Sequence, residues 1–387
     1  MFSKAKRIQE LPPYLFAEID RKKRAAQAKG VDLIDLGIGD PDLPTPGRII
    51  QRLSETATQP ANHRYPSSSG MMEFRQAVAD WYARRFGVTL DPATEVVSLI
   101  GSKEGVANMA VAYVDPGDVV LVPTPAYPVY EIGTKFNGGS VHFLPLHREN
   151  GFLPDLSSIP SDVLKRAKML WINYPNNPTG AVADESFFKE AVEFAHKHNI
   201  VLCHDAAYTE MGFDGYRAPS ILQVDGAKDV AIEFHSLSKT FNMTGWRIAM
   251  AVGCAELVGT LGQVKSNVDS GVFQPVQEAA IVALEHAEEF LEPIREVYQE
   301  RRDTVVDGLH RAGFELPPPR ATFYVWLPVP GGWTSTDFTA RLLDEAGIVT
   351  TPGNGFGEPG EGFIRMTLCS PAERLKEAVE RLQQLSL

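Results

Sequence analysis

Short apolar runs recur along the chain, each closed by glycine, proline or a polar cluster and followed by a stretch of helical spacing. The runs 31–36, 95–100, 118–122, 141–146, 168–173, 200–204, 230–234 and 247–253 have the length and apolar character of buried strands. Helical stretches lie between them. Residues 12–29 begin after Pro12-Pro13 and stop at Gly30, and 71–86 sets Phe74, Val78, Trp81 and Tyr82 on one face before Gly87. Further helices are expected over 184–198 and 255–265, with a long charged stretch over 277–311 interrupted at Pro293. Alternating strands and helices predict an α/β fold.

The pattern changes beyond residue 311. A strand over 322–327, a helix over 336–346 and strands near Ile348 and Phe363 precede a last helix. That helix has Ser370 as N-cap, Pro371 at its first position, and Leu375, Val379, Leu382 and Leu385 on one stripe. This reads as a smaller α+β domain, and 387 residues exceed one ordinary core.

Composition narrows the function classes. Hydrophobic content of 44%, charged content of 22% and a net charge of −12 describe a globular chain without the basic surface a nucleic-acid partner needs. The basic run Arg21-Lys-Lys-Arg24 adjoins Glu18 and Asp20 and reads as a solvated helix face. No apolar run approaches a membrane span and the first residues lack a signal-peptide core, so no membrane partner and a cytoplasmic location are expected. Cys203, Cys254 and Cys369 sit in or beside apolar runs without metal-ligand spacing, so buried thiols and no metal site are expected. The close glycines of Pro352-Gly-Asn-Gly-Phe-Gly357 precede no helix and are not a dinucleotide fingerprint.

Candidate chemistry centres on Ser236-Leu-Ser-Lys-Thr-Phe-Asn-Met-Thr-Gly-Trp-Arg247, which follows a strand. A primary amine (Lys239) beside hydroxyls and a guanidinium (Arg247) suits a phosphorylated aldehyde: the amine condenses with the aldehyde while the others hold the phosphate. A solvated lysine in a polar loop is the plainer reading. Gly101-Ser-Lys-Glu-Gly105, between a strand and an alanine-rich helix, is an anion-binding turn that places a phosphate against Ser102 and Lys103. Asp205 ends a strand, where it caps a helix or holds a ring nitrogen protonated, and His204 is structural or bonds to it. Arg365 lies inside the apolar run 363–369, so it must be paired or face a cavity, in a salt bridge or on a bound carboxylate.

Ser236-x-Ser238-Lys239 followed by Gly245-x-Arg247 resembles the lysine segment of the class I/II, fold-type I, pyridoxal-phosphate-dependent aminotransferases. Tyr65-Pro-x-x-x-Gly70, Pro123-Thr-Pro-Ala-Tyr-Pro-Val-Tyr130, Asn177-Pro-Thr-Gly180 and Asp205-Ala-Ala-Tyr208 recur in that family's order, so the resemblance covers nearly the whole chain. It implies a large domain with a mostly parallel central sheet flanked by helices, over 45–285, and a small α+β domain over 286–387 joined by residues 1–44. It implies pyridoxal 5′-phosphate as cofactor and Lys239 as the catalytic, cofactor-linking lysine. Ser102, Lys103, Ser236, Ser238 and Arg247 would hold the phosphate, Tyr127 would stack on the pyridine ring, Asn177 and Tyr208 would meet the ring oxygen, and Asp205 the ring nitrogen. Tyr65 would reach the phosphate of a neighbouring subunit, which implies a homodimer with shared sites. The segment 37–46, with Gly39, would cross the mouth of the site, and Gly39, Asn177 and Arg365 would bind substrate.

The implied reaction is ping-pong transamination between an α-amino acid and a 2-oxo acid. Gly37-Ile-Gly-Asp40, Gly101-Ser-Lys-Glu-Gly105 and Asp205-Ala-Ala-Tyr208 look most like LL-diaminopimelate aminotransferases, implying LL-diaminopimelate and 2-oxoglutarate as substrates and a role in lysine biosynthesis. Alanine or aspartate transamination and β-elimination remain open, since one electron sink serves all of them. One departure stands out: residues 65–70 lack the acidic side chain that the best-known branch uses for the distal ammonium.

Overall fold

The computed structural model describes residues 2–9, 11, 15–28 and 30–385. The first long helix occupies Leu15–Gln27, while Pro12-Pro13 and residue 29, the expected start and end, lie outside the described residues. The strands follow in chain order: β1 (Ile34–Asp35), β2 (Val96–Leu99), β3 (Val119–Thr124), β4 (Ser140–Pro145), β5 (Ala167–Ile172), β6 (Val201–Asp205), β7 (Ala231–Ser236), β8 (Ala249–Gly253), β9 (Tyr324–Pro328), β10 (Ile348–Val349), β11 (Thr351–Pro352) and β12 (Phe363–Thr367).

Seven of these form one sheet in the order β2-β8-β7-β6-β5-β3-β4. β8 runs antiparallel to both β2 and β7, and the other neighbours pair in parallel. Strands β2, β3, β7 and β8 are buried at every residue, as befits a sheet covered by helices on both faces. Edge strand β4 exposes Ser140 and buries Leu144. Because β8 opposes both its neighbours, β2 points the same way as β7. The carboxyl ends of β2, β3, β4, β5, β6 and β7 therefore share one edge, the place where open α/β sheets bind ligands. The turns leaving that edge carry Ser102, Tyr127, Asn177, Tyr208 and Lys239.

Local chemistry sets the helix ends. Asp184 accepts from the Phe187 amide to start Glu185–His198, and Asn199 closes that helix at φ 53°. Gly87 closes Met72–Phe86 at φ 68°. Two expectations are corrected. The long helical stretch breaks at His286, not at Pro293: Gln274–Glu285 and Ala287–Arg311 are separate helices, and Pro293 lies inside the second. His286, at φ −114° and ψ 28°, has left helical geometry. The last helix, Ala372–Gln383, takes Pro371 as its N-cap, and the Ser370 hydroxyl donates instead to the Asp35 carbonyl at 3.3 Å.

A second apolar cluster gathers Ile34 and Leu36, Tyr208 to Phe213, and residues from Ile294 to Leu382. Its sheet, β11-β12-β9, is antiparallel throughout. β1 pairs with β10, and the Leu36 carbonyl accepts from the Thr367 amide at 2.9 Å. Asp42 then takes a two-pronged bond from buried Arg301, at 2.6 and 2.9 Å. No helix among the described residues is long and apolar enough to cross a membrane. Asp42→Ala strips a buried guanidinium of its carboxylate. Chemical denaturation should show a loss of about 2 kcal/mol, with faster protease cleavage within 36–44; unchanged values on both counts would mean the pair holds nothing.

Candidate active site

A cavity of about 310 Å³ opens at the shared carboxyl edge. Gly39, Ser102, Lys103, Tyr127, Asn177, Asp205, Tyr208, Ser236, Lys239 and Arg365 all line it, with Tyr130, Asn173 and Tyr324 among them. Three expected residues do not. Ser238 and Arg247 stand outside the lining, and Tyr65 is 89% exposed on the surface.

Lys239 sits on the single turn Leu237–Thr240 that leaves β7. Its Nζ donates to the Gly39 carbonyl at 2.9 Å. Burial lowers its pKa, the charges of Arg365 and Arg247 push the same way, and Asp40 and Cys369 oppose. The amine is thus easier to deprotonate than a surface lysine. Gly39 is required where it stands, because a Cβ there would overlap the Tyr324 hydroxyl.

Asp205 ends β6 with its carboxyl buried. Tyr130 donates to Oδ2 at 2.8 Å, while buried Oδ1 meets no donor among the described residues. Burial raises the Asp205 pKa; the Tyr130 hydroxyl, the His204 charge and the Ala207 amide only partly offset it. Burial and the nearby Asp205 charge hold the Tyr130 phenol well above its ordinary pKa, so it stays a donor. Contrary to one expectation, His204 does not bond Asp205: its ring faces Glu233 and the Tyr174 carbonyl.

Across the cavity, Arg365 on β12 is 2% exposed. Its guanidinium donates to Asn177 Oδ1 at 2.7 Å and to the Gly37 carbonyl at 2.8 Å. The Tyr324 and Phe356 rings flank it at 4.3 and 4.7 Å. Asn177 is itself placed by Asn173, which accepts from its amide at 2.9 Å. The Tyr208 hydroxyl meets the Tyr324 hydroxyl at 3.2 Å.

The anion turn begins at Gly101, φ 96°, ahead of the helix Ser102–Tyr113. A side chain at Gly101 would overlap the Arg247 guanidinium, so the missing Cβ lets that charge lie against the turn. Arg247 also donates to the Thr244 carbonyl at 2.8 Å and reaches Ser238 Oγ at 3.5 Å.

The aminotransferase class I and II family matches residues 31–382. The chain belongs to this family. It is 59% identical over 385 residues to an LL-diaminopimelate aminotransferase of Syntrophobacter fumaroxidans, covering 100% of this chain and 99% of that protein. A protein of the same name from Moorella thermoacetica is 58% identical over 381 residues, covering 98% of each. Among solved structures, apo-BacF of Bacillus subtilis superposes with a TM-score of 0.96 at 39% identity, over 100% of this chain and 99% of that one. An aspartate aminotransferase mutant of Thermus thermophilus gives 0.92 at 30% identity, over 99% and 100%.

Class I and II aminotransferases depend on pyridoxal phosphate, and this aminotransferase has a pocket that fits it. Buried Oδ1 of Asp205 awaits a proton donor, as a pyridinium nitrogen is, and the Gly101 turn with Arg247 and Ser102 forms a cradle for a phosphate. The sequence reading missed Tyr130, Asn173 and Tyr324. Tyr130 had a signal, since it follows Tyr127 on the same turn; the other two are set by contacts from distant segments.

Asp205 gives a pH test. A carboxyl whose folded pKa is raised costs stability once it ionises; the cost is absent below the unfolded value near 3.9 and complete above the folded pKa. Cofactor-free Asp205→Asn should therefore melt above the wild type at neutral pH, the difference shrinking as pH falls. A lower melting point at neutral pH would contradict the burial argument.

Proposed function

We propose that this aminotransferase transfers the amino group of LL-diaminopimelate to 2-oxoglutarate, with pyridoxal phosphate as cofactor, as a cytoplasmic homodimer in lysine biosynthesis. The observation that carries the substrate is the full-length identity, 58–59%, to relatives bearing that name. The domain division 45–285 and 286–387, with 1–44 joined to the second part, belongs to the same reading and is supported by the separate apolar cluster that takes in Ile34 and Leu36.

When bound, the cofactor supplies an electron sink for the bonds at the substrate α-carbon. The residues have distinct tasks. Lys239 Nζ would anchor it covalently and, once the substrate amine has displaced Nζ from that bond, would move the α-carbon proton, for which a lowered pKa suits it. Asp205 Oδ1 keeps the ring nitrogen protonated. Ser102, Lys103, Ser236, Ser238 and Arg247 hold the phosphate, Tyr127 flanks the ring, and Asn177 and Tyr208 serve the ring oxygen. Arg365, with Asn177 and the Gly39 segment, receives the α-carboxylate. Exposed Tyr65 is available to a second copy of the chain.

Three measurements follow. Each candidate amino acid is mixed with the pyridoxal form and conversion to the pyridoxamine form is followed spectroscopically. LL-diaminopimelate should convert fast; conversion by alanine or aspartate alone would remove it as the substrate and leave the aminotransferase intact. Lys239→Ala should lower turnover by at least about a thousandfold, as loss of a proton-transfer group and covalent anchor does, and should lose the borohydride-reducible link. A link that persists in the mutant would make another lysine the anchor. Finally, mixing Lys239→Ala and Tyr65→Phe chains tests the shared site. Hybrids should exceed the mean of the parents, because one site then carries neither defect; activity at or below that mean would confine Tyr65 to its own subunit.

A further inference from the structure

Behind the sheet, on the face turned away from the cavity, lies a polar cluster that the reaction does not use directly. Glu233 on β7 is fully buried. Its Oε1 accepts from Tyr82 Oη at 2.7 Å, Ser220 Oγ at 2.7 Å and His235 Nε2 at 3.0 Å. Its Oε2 accepts from the Ile221 amide at 2.9 Å and faces His204 Nδ1 at 2.8 Å. The other ring nitrogen of His204, Nε2, lies 2.9 Å from the Tyr174 carbonyl.

A donor inventory fixes the protons. A carbonyl oxygen only accepts, so His204 Nε2 carries hydrogen. Several donors converge on Glu233, the arrangement that keeps a carboxylate ionised. Burial works against that charge, yet the bonds from His204 and His235 prevail and hold Glu233 well below the usual carboxyl range. The Ile221 amide and the Tyr82 and Ser220 hydroxyls give this carboxylate three donors without His204, and an ionised carboxylate offers His204 Nδ1 only an acceptor. The Phe188 ring packs against the imidazole with ring centroids 4.9 Å apart, while Arg85 and Glu210 pair with each other at 2.9 Å near Tyr82.

We infer that His204 and Glu233 form a buried ion pair whose task is to position Asp205 and Asn177 and to keep Asp205 ionised. His204 and Asp205 are successive residues of β6, so their side chains take opposite faces. The imidazolium sets a positive charge one residue from a carboxyl whose burial favours the neutral form. It also pins the Tyr174 carbonyl, just ahead of the turn that carries Asn177. Asn173 completes the frame, donating to the Asp205 carbonyl at 2.6 Å and accepting from the Asn177 amide at 2.9 Å. Both are positioning residues, acting through Asp205 and Asn177. The last step rests on the reading of Asp205 as the ring-nitrogen partner.

Nitrogen NMR of ¹⁵N-histidine-labelled, cofactor-free protein tests the pair, with the His204 signals assigned by their loss in His204→Gln. At neutral pH both ring nitrogens should be protonated; a bare Nδ1 overturns the inference, and this readout needs neither cofactor nor activity. Glu233→Gln should then leave one His204 nitrogen bare and weaken pyridoxal phosphate binding to the apoprotein by about tenfold, the equivalent of one unit of Asp205 pKa. Tyr82→Phe removes a donor from the same carboxylate without removing its charge and should bind within about twofold of wild type. Equal losses in both variants would reduce the cluster to packing and overturn the inference. If Glu233→Gln fails to fold, the wild-type nitrogen signals still decide. A wild type that binds no pyridoxal phosphate, with both nitrogens protonated, would refute the cofactor reading and leave the ion pair standing.

Discussion

The site depends on one buried guanidinium. Arg365 sits in the middle strand of the small sheet, yet its hydrogens go to Gly37 in the N-terminal segment and to Asn177 in a turn of the large sheet. Taking such a charge out of water costs several kcal/mol unless its surroundings answer it. Here two oxygens and two aromatic faces do so, and each comes from a different part of the chain. Placing Arg365 therefore fixes the N-terminal segment, the large-sheet turn and the small sheet against one another. Gly37 is doubly held, because its carbonyl also accepts from Thr351 at 2.8 Å. Gly39, two residues on, is left in reach of the Lys239 amine.

The same economy runs through the large sheet. Its strand directions bring six carboxyl ends to one edge, and the chain changes direction there with residues that leave polar groups exposed to the cavity. Burial does the electrostatic work on both titratable groups that matter most: it pushes Lys239 down and Asp205 up, each toward its neutral form. A ring cation against Asp205 would restore the charge that burial penalises there, while the lowered pKa of Lys239 leaves its amine ready to act as a base.

The sequence showed much of this, and the reasons are physical. Lys239, Asp205, Asn177 and Ser102 all stand at or just after the ends of apolar runs, which the sequence shows; that those ends share one edge follows from strand directions that it does not show. Arg365 was visible because a guanidinium in an apolar run is costly and needs a partner. Tyr324, Asn173 and the Glu233 cluster were not visible, because their roles come from contacts between segments far apart in the chain. Tyr82, for example, reaches Glu233 across 151 positions. Local errors had local causes. Pro293 looked like a break because proline lacks an amide, but the chain had already turned at His286. Ser370 looked like a cap because serine commonly is one, but its hydroxyl is engaged with β1.

A crystal structure of the pyridoxal-phosphate-loaded protein with LL-diaminopimelate or 2-oxoglutarate bound tests the central claim most directly. The account predicts the ring nitrogen against Asp205 Oδ1, the phosphate at the Gly101–Ser102 turn beside Arg247, and the substrate α-carboxylate on Arg365. A substrate carboxylate bound away from Arg365, or a ring nitrogen turned away from Asp205, would contradict it.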